Sequence, residues 1–222
     1  MLQLNKLNVR NVLADLDLTV KKEEFVLIMG DNGAGKTTLF NAIAGYAKPS
    51  GGSIVLDGQD VTDVPQYMRA SLISNVFQDP KAGTVGSMTL RENLNIAYTR
   101  GKRRTFFLSN SRARDDLYKE KLKFLDMGLE NRLDDEVGRL SGGQRQALSI
   151  VMSTIADSKI LLLDEITAAL DSKTSKNILN IVGEITRREK KTCLMITHNA
   201  DHVASLGSKL FLLKNGKLQQ QF

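Results

Sequence analysis

Apolar residues near the start of the chain alternate loosely with polar ones, from Leu2 to Val20. A period of two is typical of strands that bury one face and expose the other. A second stretch of this kind, residues 53–61, is interrupted by Asp57-Gly58, a dipeptide that favours tight hairpin turns. The pattern therefore predicts an antiparallel sheet in the N-terminal part of the chain, with strands that are short and half exposed.

Short apolar runs later in the chain predict further strands, and apolar residues spaced at i, i+3 and i+4 predict helices. The predicted strands are residues 25–29, 75–77, 160–163 and 192–197, followed by a closing hairpin, 210–214 and 217–219, that turns at Asn215-Gly216. The predicted helices are residues 39–44, 90–97, 115–127, a long helix that opens at 140–144 and runs to about 155, and about 172–187. Strands that alternate with helices in this way are typical of an α/β protein.

Composition narrows the class of protein without deciding its function. The 222 residues are 41% hydrophobic and carry a formal net charge of +6, and no apolar run approaches the roughly 18 residues of a membrane span. The N-terminus lacks the pattern of a signal peptide, and Cys193 is expected to be a small core residue, so we expect a cytosolic protein. The basic charge suits nucleic acid, nucleotide phosphates or an anionic membrane surface equally well.

Residues 30–37 form a glycine-rich loop of the pattern G-x-x-x-x-G-K-[ST], between a predicted strand and a predicted helix. Glycines let backbone N–H groups converge on one concavity, and the helix N-terminus adds partial positive charge. Lys36 is placed to reach the β- and γ-phosphates of a nucleoside triphosphate, and the Thr37 hydroxyl to ligate Mg²⁺. A glycine-rich turn with a surface lysine is the alternative, but the flanking elements favour nucleotide binding. We name residues 30–37 the phosphate loop.

Two adjacent carboxylates, Asp164 and Glu165, follow the apolar run of residues 160–163. The end of a buried strand in a nucleotide-binding α/β sheet is where a carboxylate reaches Mg²⁺, and a second carboxylate can polarise the attacking water. The alternative is a pair that caps the next helix. The phosphate loop in the same chain makes the catalytic interpretation the stronger one.

Leu140-Ser141-Gly142-Gly143-Gln144 opens a long predicted helix with a serine cap and two glycines. A capped, glycine-rich helix N-terminus is a second arrangement that suits an anion. One chain thus offers two phosphate sites of different construction. We name residues 140–144 the Ser-Gly-Gly segment.

Six motifs in this order resemble the ATP-binding subunit of an ABC transporter. They are the Walker A motif (Gly30–Thr37), the Q-loop (Gln78), the signature motif (Leu140–Gln144), the Walker B motif (Ile160–Glu165), the D-loop (Ala168-Ala169-Leu170-Asp171) and the switch histidine (His198). The resemblance covers essentially the whole chain. It implies an α/β fold in which a P-loop NTPase core with a mainly parallel sheet carries an N-terminal antiparallel β subdomain and an inserted α-helical subdomain. Residues 1–222 would form one domain, with 1–79 and 157–222 as the core and 80–156 as the helical part.

The resemblance also implies a role for each matching residue. ATP would be held by Gly30, Asp31, Asn32, Gly33, Ala34, Gly35, Lys36, Thr37 and Thr38, and the ATP of an opposite subunit by Ser141, Gly142, Gly143 and Gln144. Mg²⁺ would be ligated by Thr37 and Gln78, with Asp164 behind it. Glu165 would be the general base, and His198 would sense the γ-phosphate. Because the family works as a head-to-tail dimer with two ATPs at its interface, both phosphate sites would be used.

The chain departs from the family where adenine is usually stacked on an aromatic ring. Residues 1–24 contain no Phe, Tyr or Trp, and the loop that should supply the ring runs from about Asn8 to Val12. Arg10 is the best substitute, because a planar guanidinium can stack on a base, whereas Val12 offers only apolar contact. The lysines of the terminal hairpin, Lys214 and Lys217, are expected to be solvated charges.

The resemblance implies partners and a location as well. We expect permease subunits in the membrane, an indirect link to a substrate-binding protein, a second copy of the chain, and a position on the cytoplasmic face of the membrane, with no nucleic acid. Details such as Phe77-Gln78-Asp79-Pro80 resemble a group of bacterial importer-type ATPases, some of them linked to aromatic amino acids. A basic stretch, residues 100–114, encloses Phe106-Phe107-Leu108; either it is a solvated loop with an apolar anchor, or it faces anionic lipid or the permease.

Alternatives from other classes remain open at this point. A soluble ABC-type ATPase acting on DNA or ribosomes would suit the basic charge, but such proteins generally carry two cassettes or a long insertion. A small-molecule kinase would use the phosphate loop and leave the Ser-Gly-Gly segment unexplained. His202 is expected to be a surface residue.

Overall fold

A computed structural model describes residues 1–101, 111–155, 158–199, 206 and 209–220. Along the chain the strands and helices are β1 (Leu2–Val9), β2 (Leu13–Val20), β3 (Phe25–Met29), α1 (Lys36–Ala44), β4 (Gly51–Leu56), β5 (Gln59–Asp60), α2 (Gln66–Arg69), β6 (Ile73–Val76), α3 (Leu90–Tyr98), α4 (Arg112–Lys123), α5 (Gly142–Ile155), β7 (Ile160–Asp164), α6 (Ser172–Arg188), β8 (Thr192–Ile196), β9 (Lys209–Lys214) and β10 (Lys217–Gln220). Short 3-10 helices lie at Pro80–Gly83, Leu129–Asn131 and Val137–Arg139. None of the helices described is long and apolar enough to cross a bilayer.

The N-terminal strands form an antiparallel sheet in the order β2-β1-β4-β5, as the alternating pattern predicted. Leu2 of β1 lies opposite Val20 on one neighbour and Leu56 on the other, and all three are buried. β1 and β2 each run for eight residues, and irregularities interrupt the β1–β2 register. One face of this sheet is therefore apolar, which allows it to cover the central sheet.

The central sheet has the order β10-β9-β3-β8-β7-β6. Within it β3 pairs in parallel with both β8 and β9, β7 pairs in parallel with β8 and β6, and the β9–β10 hairpin is antiparallel. Because parallel strands deliver their carboxyl ends to one edge, the residues that follow β3, β7 and β8 meet there. The α/β class with a mainly parallel sheet is thereby confirmed.

Helices α3 to α6 cover one face of the central sheet, and α1 with the antiparallel sheet covers the other. Leu161 and Leu163 of β7 point into a cluster with α3, α4, α5 and α6, while Ile160 and Leu162 point into a cluster with α1 and the antiparallel sheet. The alternation along β7 shows why its sequence is a continuous apolar run: both faces are buried.

Several element boundaries differ from the sequence-based predictions, and three of these differences have a local cause. The helix after the phosphate loop begins at Lys36 rather than 39, because Gly35 ends the loop in a left-handed conformation. The helix predicted over 115–127 spans Arg112–Lys123, because the Ser111 side chain caps it by accepting the Arg114 N–H. The strand predicted over 75–77 spans Ile73–Val76, where it follows the register of β7.

Candidate functional site

The phosphate loop connects the central strand β3 to α1. Gly33 and Gly35 have positive φ angles of 81° and 102°, a region that favours glycine. A Cβ built on Gly35 would lie 2.9 Å from the side chains of both Val12 and Leu13, so glycine is required there for space as well. Since no side chain caps α1, the N–H groups of its first turn remain directed at the loop concavity, where an anion would sit.

The Lys36 side chain lies within this loop and is almost buried. Its Nζ donates to the carbonyl oxygens of Gly30 at 2.8 Å and Asp31 at 3.0 Å. An ammonium group has three N–H donors, so one remains for a phosphate oxygen. The loop's own carbonyls therefore fix the lysine that the sequence assigned to the phosphates.

Asp164, at the end of β7, lies beside the phosphate loop. The Thr37 hydroxyl lies close enough to this carboxylate to influence its pKa, so the structure brings these two predicted metal ligands together. Burial and the neighbouring Glu165 charge raise the pKa of Asp164, while Lys36 and the Thr37 hydrogen bond oppose that rise. Burial and the nearby Glu165 charge disfavour the ionised form of Asp164. A bound hard cation would offset that unfavourable charge, so the site suits metal ligation.

Glu165 and His198 are joined by a short hydrogen bond. Glu165 Oε1 lies 2.7 Å from His198 Nε2, and the glutamate side chain is 18% exposed against 45% for the histidine. Glu165 has a φ of 46°, in the left-handed region that glutamate rarely adopts, and its N–H donates to the Ile196 carbonyl at 3.1 Å. The strained backbone of Glu165 directs its carboxylate toward the end of β8, where the carboxylate meets His198.

Gln78 follows β6 and is exposed. Its loop is tied to α5 by Gln146, which is 1% exposed and donates through Nε2 to the Phe77 carbonyl at 3.4 Å. Sequence reasoning missed Gln146. The available signal was a polar side chain on the apolar face of a predicted helix, two residues after the Ser-Gly-Gly segment.

The Ser-Gly-Gly segment forms a reciprocal cap at the start of α5. The Ser141 hydroxyl accepts the Gln144 N–H, and the Gln144 side chain accepts the Ser141 N–H, each at 3.2 Å. A Cβ on Gly143 would lie 2.6 Å from Thr174 of α6. Next to it lies an open cavity of about 420 Å³ that the D-loop residues Ala169–Asp171 also line. The serine cap that the sequence predicted is confirmed.

A cavity of about 540 Å³ lies beside the phosphate loop on the side of the N-terminal sheet. It is lined by Asn11, Val12, Ala14, Asp31, Asn32, Gly33, Ala34, Lys214, Asn215 and Gly216. Arg10, the expected stacking residue, is exposed with its N–H bonded to Ser50 Oγ at 3.1 Å, and it is not one of the lining residues. Asn11 and Val12 are the residues of this loop that line the cavity, and Val12 lies against Gly35 of the phosphate loop.

Two of the sequence-based predictions lie outside the described residues. His202 is one of them, and the middle of the basic stretch, residues 102–110 with the apolar centre, is the other. The two ends of that stretch are described: Arg100 follows α3, and Arg112 and Arg114 belong to α4.

Comparisons with known proteins agree with one another. Residues 13–168 match the family model described as ABC transporter. The chain is 42% identical over 207 residues to the Tyrosine transport ATP-binding protein of Clostridioides difficile (strain R20291), covering 93% of this chain and 82% of that protein. It is 32% identical over 206 residues to the Thiamine import ATP-binding protein ThiQ of Shigella flexneri, covering 92% of this chain and 83% of that protein.

Solved structures give the same result. The chain is similar to the ATP-binding cassette MJ0796 in a dimeric post-hydrolysis state bound to ADP and Pi, with a TM-score of 0.83 and 28% identity over 100% of this chain and 98% of that one. It is also similar to cbiO1 from Clostridium perfringens, part of the ABC transporter complex cbiONQ, with a TM-score of 0.83 and 27% identity over 99% and 87%.

Proposed function

The chain belongs to the ABC transporter family as an ATP-hydrolysing subunit, and we propose that it drives import of a small substrate through separate permease subunits. The observation that carries this proposal is the meeting of three groups at one edge of the central sheet. These are the phosphate loop with Lys36, the Thr37–Asp164 pair, and the Glu165–His198 pair. Together they supply phosphate binding, a metal-ligand pair and a general base.

In the proposed reaction, the backbone N–H groups of residues 30–38 and the third Lys36 donor hold the β- and γ-phosphates. Glu165 accepts a proton from water, which attacks the γ-phosphorus as the bond to ADP breaks. His198 Nε2 lies 2.7 Å from Glu165 Oε1, so it orients the carboxylate; when ATP is bound, it can donate to the γ-phosphate instead.

Thr37 and Gln78, with Asp164 behind them, would hold Mg²⁺. Hydroxyl, amide and carboxylate oxygens are the ligands that Mg²⁺ prefers, and the half-buried Asp164 carboxylate beside Thr37 fits that preference. When bound, the ion would neutralise charge on the β- and γ-phosphate oxygens.

We further propose that the Ser-Gly-Gly segment contacts the ATP of a second copy of the chain. The Ser141 hydroxyl accepts from Gln144, which leaves its own proton free to donate to a phosphate oxygen. Two copies related by a two-fold axis would each contribute one phosphate loop and one Ser-Gly-Gly segment to two equal sites. The dimeric state of the similar cassette MJ0796 supports this arrangement.

The division of the chain and its partners are also proposals. Residues 1–79 and 157–222 would form the nucleotide-binding core and residues 80–156 the helical part, with the permease and, indirectly, a binding protein as partners. An aromatic amino acid is the substrate suggested by the tyrosine transport relative. Action on nucleic acid or ribosomes, the alternative that the basic charge allowed, is not favoured by these relatives.

The test is hydrolysis of ATP by the purified chain with Mg²⁺ and with EDTA, compared with Lys36→Ala. We expect Mg²⁺-dependent release of phosphate that Lys36→Ala abolishes. Lys48→Ala is the matched control, since Lys48 is an exposed lysine paired with Asp63 on the surface. Equal hydrolysis by wild type and Lys36→Ala would refute the assignment.

A further inference from the structure

The terminal hairpin lies against the phosphate loop and the N-terminal loop at once. We propose that its turn, residues 214–216, forms one wall of the nucleotide site, and that Lys214 contacts the purine base and biases the site toward guanine. This inference deepens the proposed ATP binding and rests on it. This role for Lys214 differs from the sequence-based expectation that it is only a solvated surface charge.

Close backbone contacts fix the position of the hairpin. A Cβ on Gly30, the first residue of the phosphate loop, would lie 2.3 Å from the Leu213 carbonyl oxygen. A Cβ on Gly216 would lie 2.5 Å from the Val12 carbonyl oxygen, and the Gly216 carbonyl accepts the Ala14 N–H at 3.2 Å. The turn is thus held between the loop that binds phosphate and the loop expected to face adenine.

The turn itself has a defined conformation. Asn215 and Gly216 have φ angles of 50° and 72°, which is the geometry of a tight two-residue hairpin turn and suits the Asn-Gly dipeptide. Strand β9, which leads into it, is paired in parallel with β3, with Leu212 opposite Met29. Lys214 is therefore presented from a rigid element rather than from a loose terminus.

Lys214 differs from the lysine at the other end of the same strand. Lys209 is neutralised by Glu24, with Nζ 2.6 Å from Oε1. Lys214 lines the cavity beside the phosphate loop, as does Asp31, but within the described residues Lys214 forms no ion pair, whereas Lys209 does. Its charge is available to a ligand in that cavity.

The chemistry of the bases gives the direction of the bias. A lysine ammonium is only a donor. Guanine offers O6 and N7 as adjacent acceptors, whereas adenine offers N7 beside an amino group that itself donates. A lysine at the base edge therefore favours guanine. Neither Arg10 nor Val12 has a side-chain acceptor that would favour the amino group of adenine instead. We expect a subunit that binds GTP at least as well as ATP.

The experiment is a titration of the full chain with mant-ATP and mant-GTP, comparing Lys214→Met with Lys217→Met. Lys217 lies on the same hairpin, is exposed, and does not line the cavity, so it is the matched control. Loss of one charge-assisted hydrogen bond in an open site should weaken mant-GTP binding about threefold to tenfold, and mant-ATP less. Lys217→Met should leave both affinities unchanged, and Lys214→Arg should restore GTP binding, since it keeps the donor.

The possible failures are separable. A Lys214→Met chain that binds both nucleotides like wild type, or that changes only as Lys217→Met does, overturns this inference and leaves ATP binding by the phosphate loop intact. Equal weakening of both nucleotides would show a contact with phosphate or ribose and overturn the base assignment. A wild-type chain that binds neither nucleotide overturns the proposed function itself.

Discussion

The phosphate loop and the Ser-Gly-Gly segment both place glycines at the start of a helix, yet they treat the helix N-terminus in opposite ways. α1 has no side-chain cap, so the N–H groups of its first residues face the loop without a capping side chain. α5 is closed by the reciprocal Ser141–Gln144 cap and faces an open cavity. The first site carries Lys36 and two acidic groups beside it; the second offers a hydroxyl and backbone donors.

From this difference we expect the two sites to have different tasks. We expect the phosphate loop to bind a highly charged ligand by itself, because it combines charge, aligned donors and the residues predicted to ligate a metal. The Ser-Gly-Gly segment already has its helix cap in place, and we expect it to add a few donors to a phosphate that the phosphate loop holds. We therefore expect damage to the phosphate-loop side to abolish chemistry in each chain, and damage to the other side to act only when two chains meet.

The largest effect should come from Glu165→Gln. Removing the base should lower hydrolysis about 10²- to 10⁴-fold while the phosphate loop still binds MgATP. Two chains should then remain associated around uncleaved ATP, which size-exclusion chromatography with and without ATP would detect. Glu184→Gln, an exposed substitution on α6, serves as the control. Normal turnover by Glu165→Gln would show that another group activates water.

Asp164→Asn tests the metal-ligand pair and should lower Mg²⁺-dependent hydrolysis on the order of a hundredfold. The same change should raise the Tm at neutral pH, because it removes a charge that burial and Glu165 disfavour. The raised pKa means that the folded chain takes up this proton at a higher pH than the unfolded chain does. The contribution of Asp164 to stability is thus largest at low pH and is lost as pH rises through the raised pKa.

Thermal unfolding of wild type and Asp164→Asn across the acid range would check that sign. We expect the two Tm values to converge as pH falls and to separate as it rises. Asp116→Asn, on the exposed side of α4, should show neither effect. A variant less stable than wild type at neutral pH would mean that the Thr37 hydrogen bond outweighs the burial of charge.

Ser141→Ala tests the opposite site and should lower hydrolysis about tenfold to a hundredfold, the loss of one hydrogen bond to a charged group. Binding of mant-ATP by single chains should be unchanged, because the segment is expected to serve the other chain's nucleotide. Ser111→Ala removes the corresponding cap of α4 and controls for lost helix stability. Reduced binding at protein concentrations too low for dimers would place Ser141 in its own chain's site.

The smallest effect should come from Arg10→Ala, which we expect to weaken ATP and GTP equally, by about fivefold, through lost stacking. Arg10→Tyr should tighten ATP binding. Val12→Ala provides the comparison, because Val12 lines the cavity and Arg10 does not. If only Val12→Ala weakens binding in the mant-nucleotide titration, the base is held by apolar contact and the Arg10 prediction is wrong.

The features that the sequence predicted well depend on neighbouring residues. The strand–loop–helix around Lys36, the Ser141 cap and the Asn215-Gly216 turn are each specified within a few positions, so local pattern was enough. The features that it missed join distant segments. The Gln146 bond to the Phe77 carbonyl spans 69 residues, and the contact of Val12 with Gly216 depends on where the terminal hairpin joins the sheet.

Strand β3 also has a consequence for how the protein is made. Its two neighbours in the sheet are β8 (Thr192–Ile196) and β9 (Lys209–Lys214), which lie more than 160 positions later in the chain. Forming these strand pairs therefore has a large entropic cost of loop closure. During synthesis, the phosphate loop leaves the ribosome attached to a strand that has no partner until those residues follow. A nascent chain that ends before β8 should therefore be unable to retain ATP, and its exposed apolar β3 would be a target for chaperones until the last strands are added.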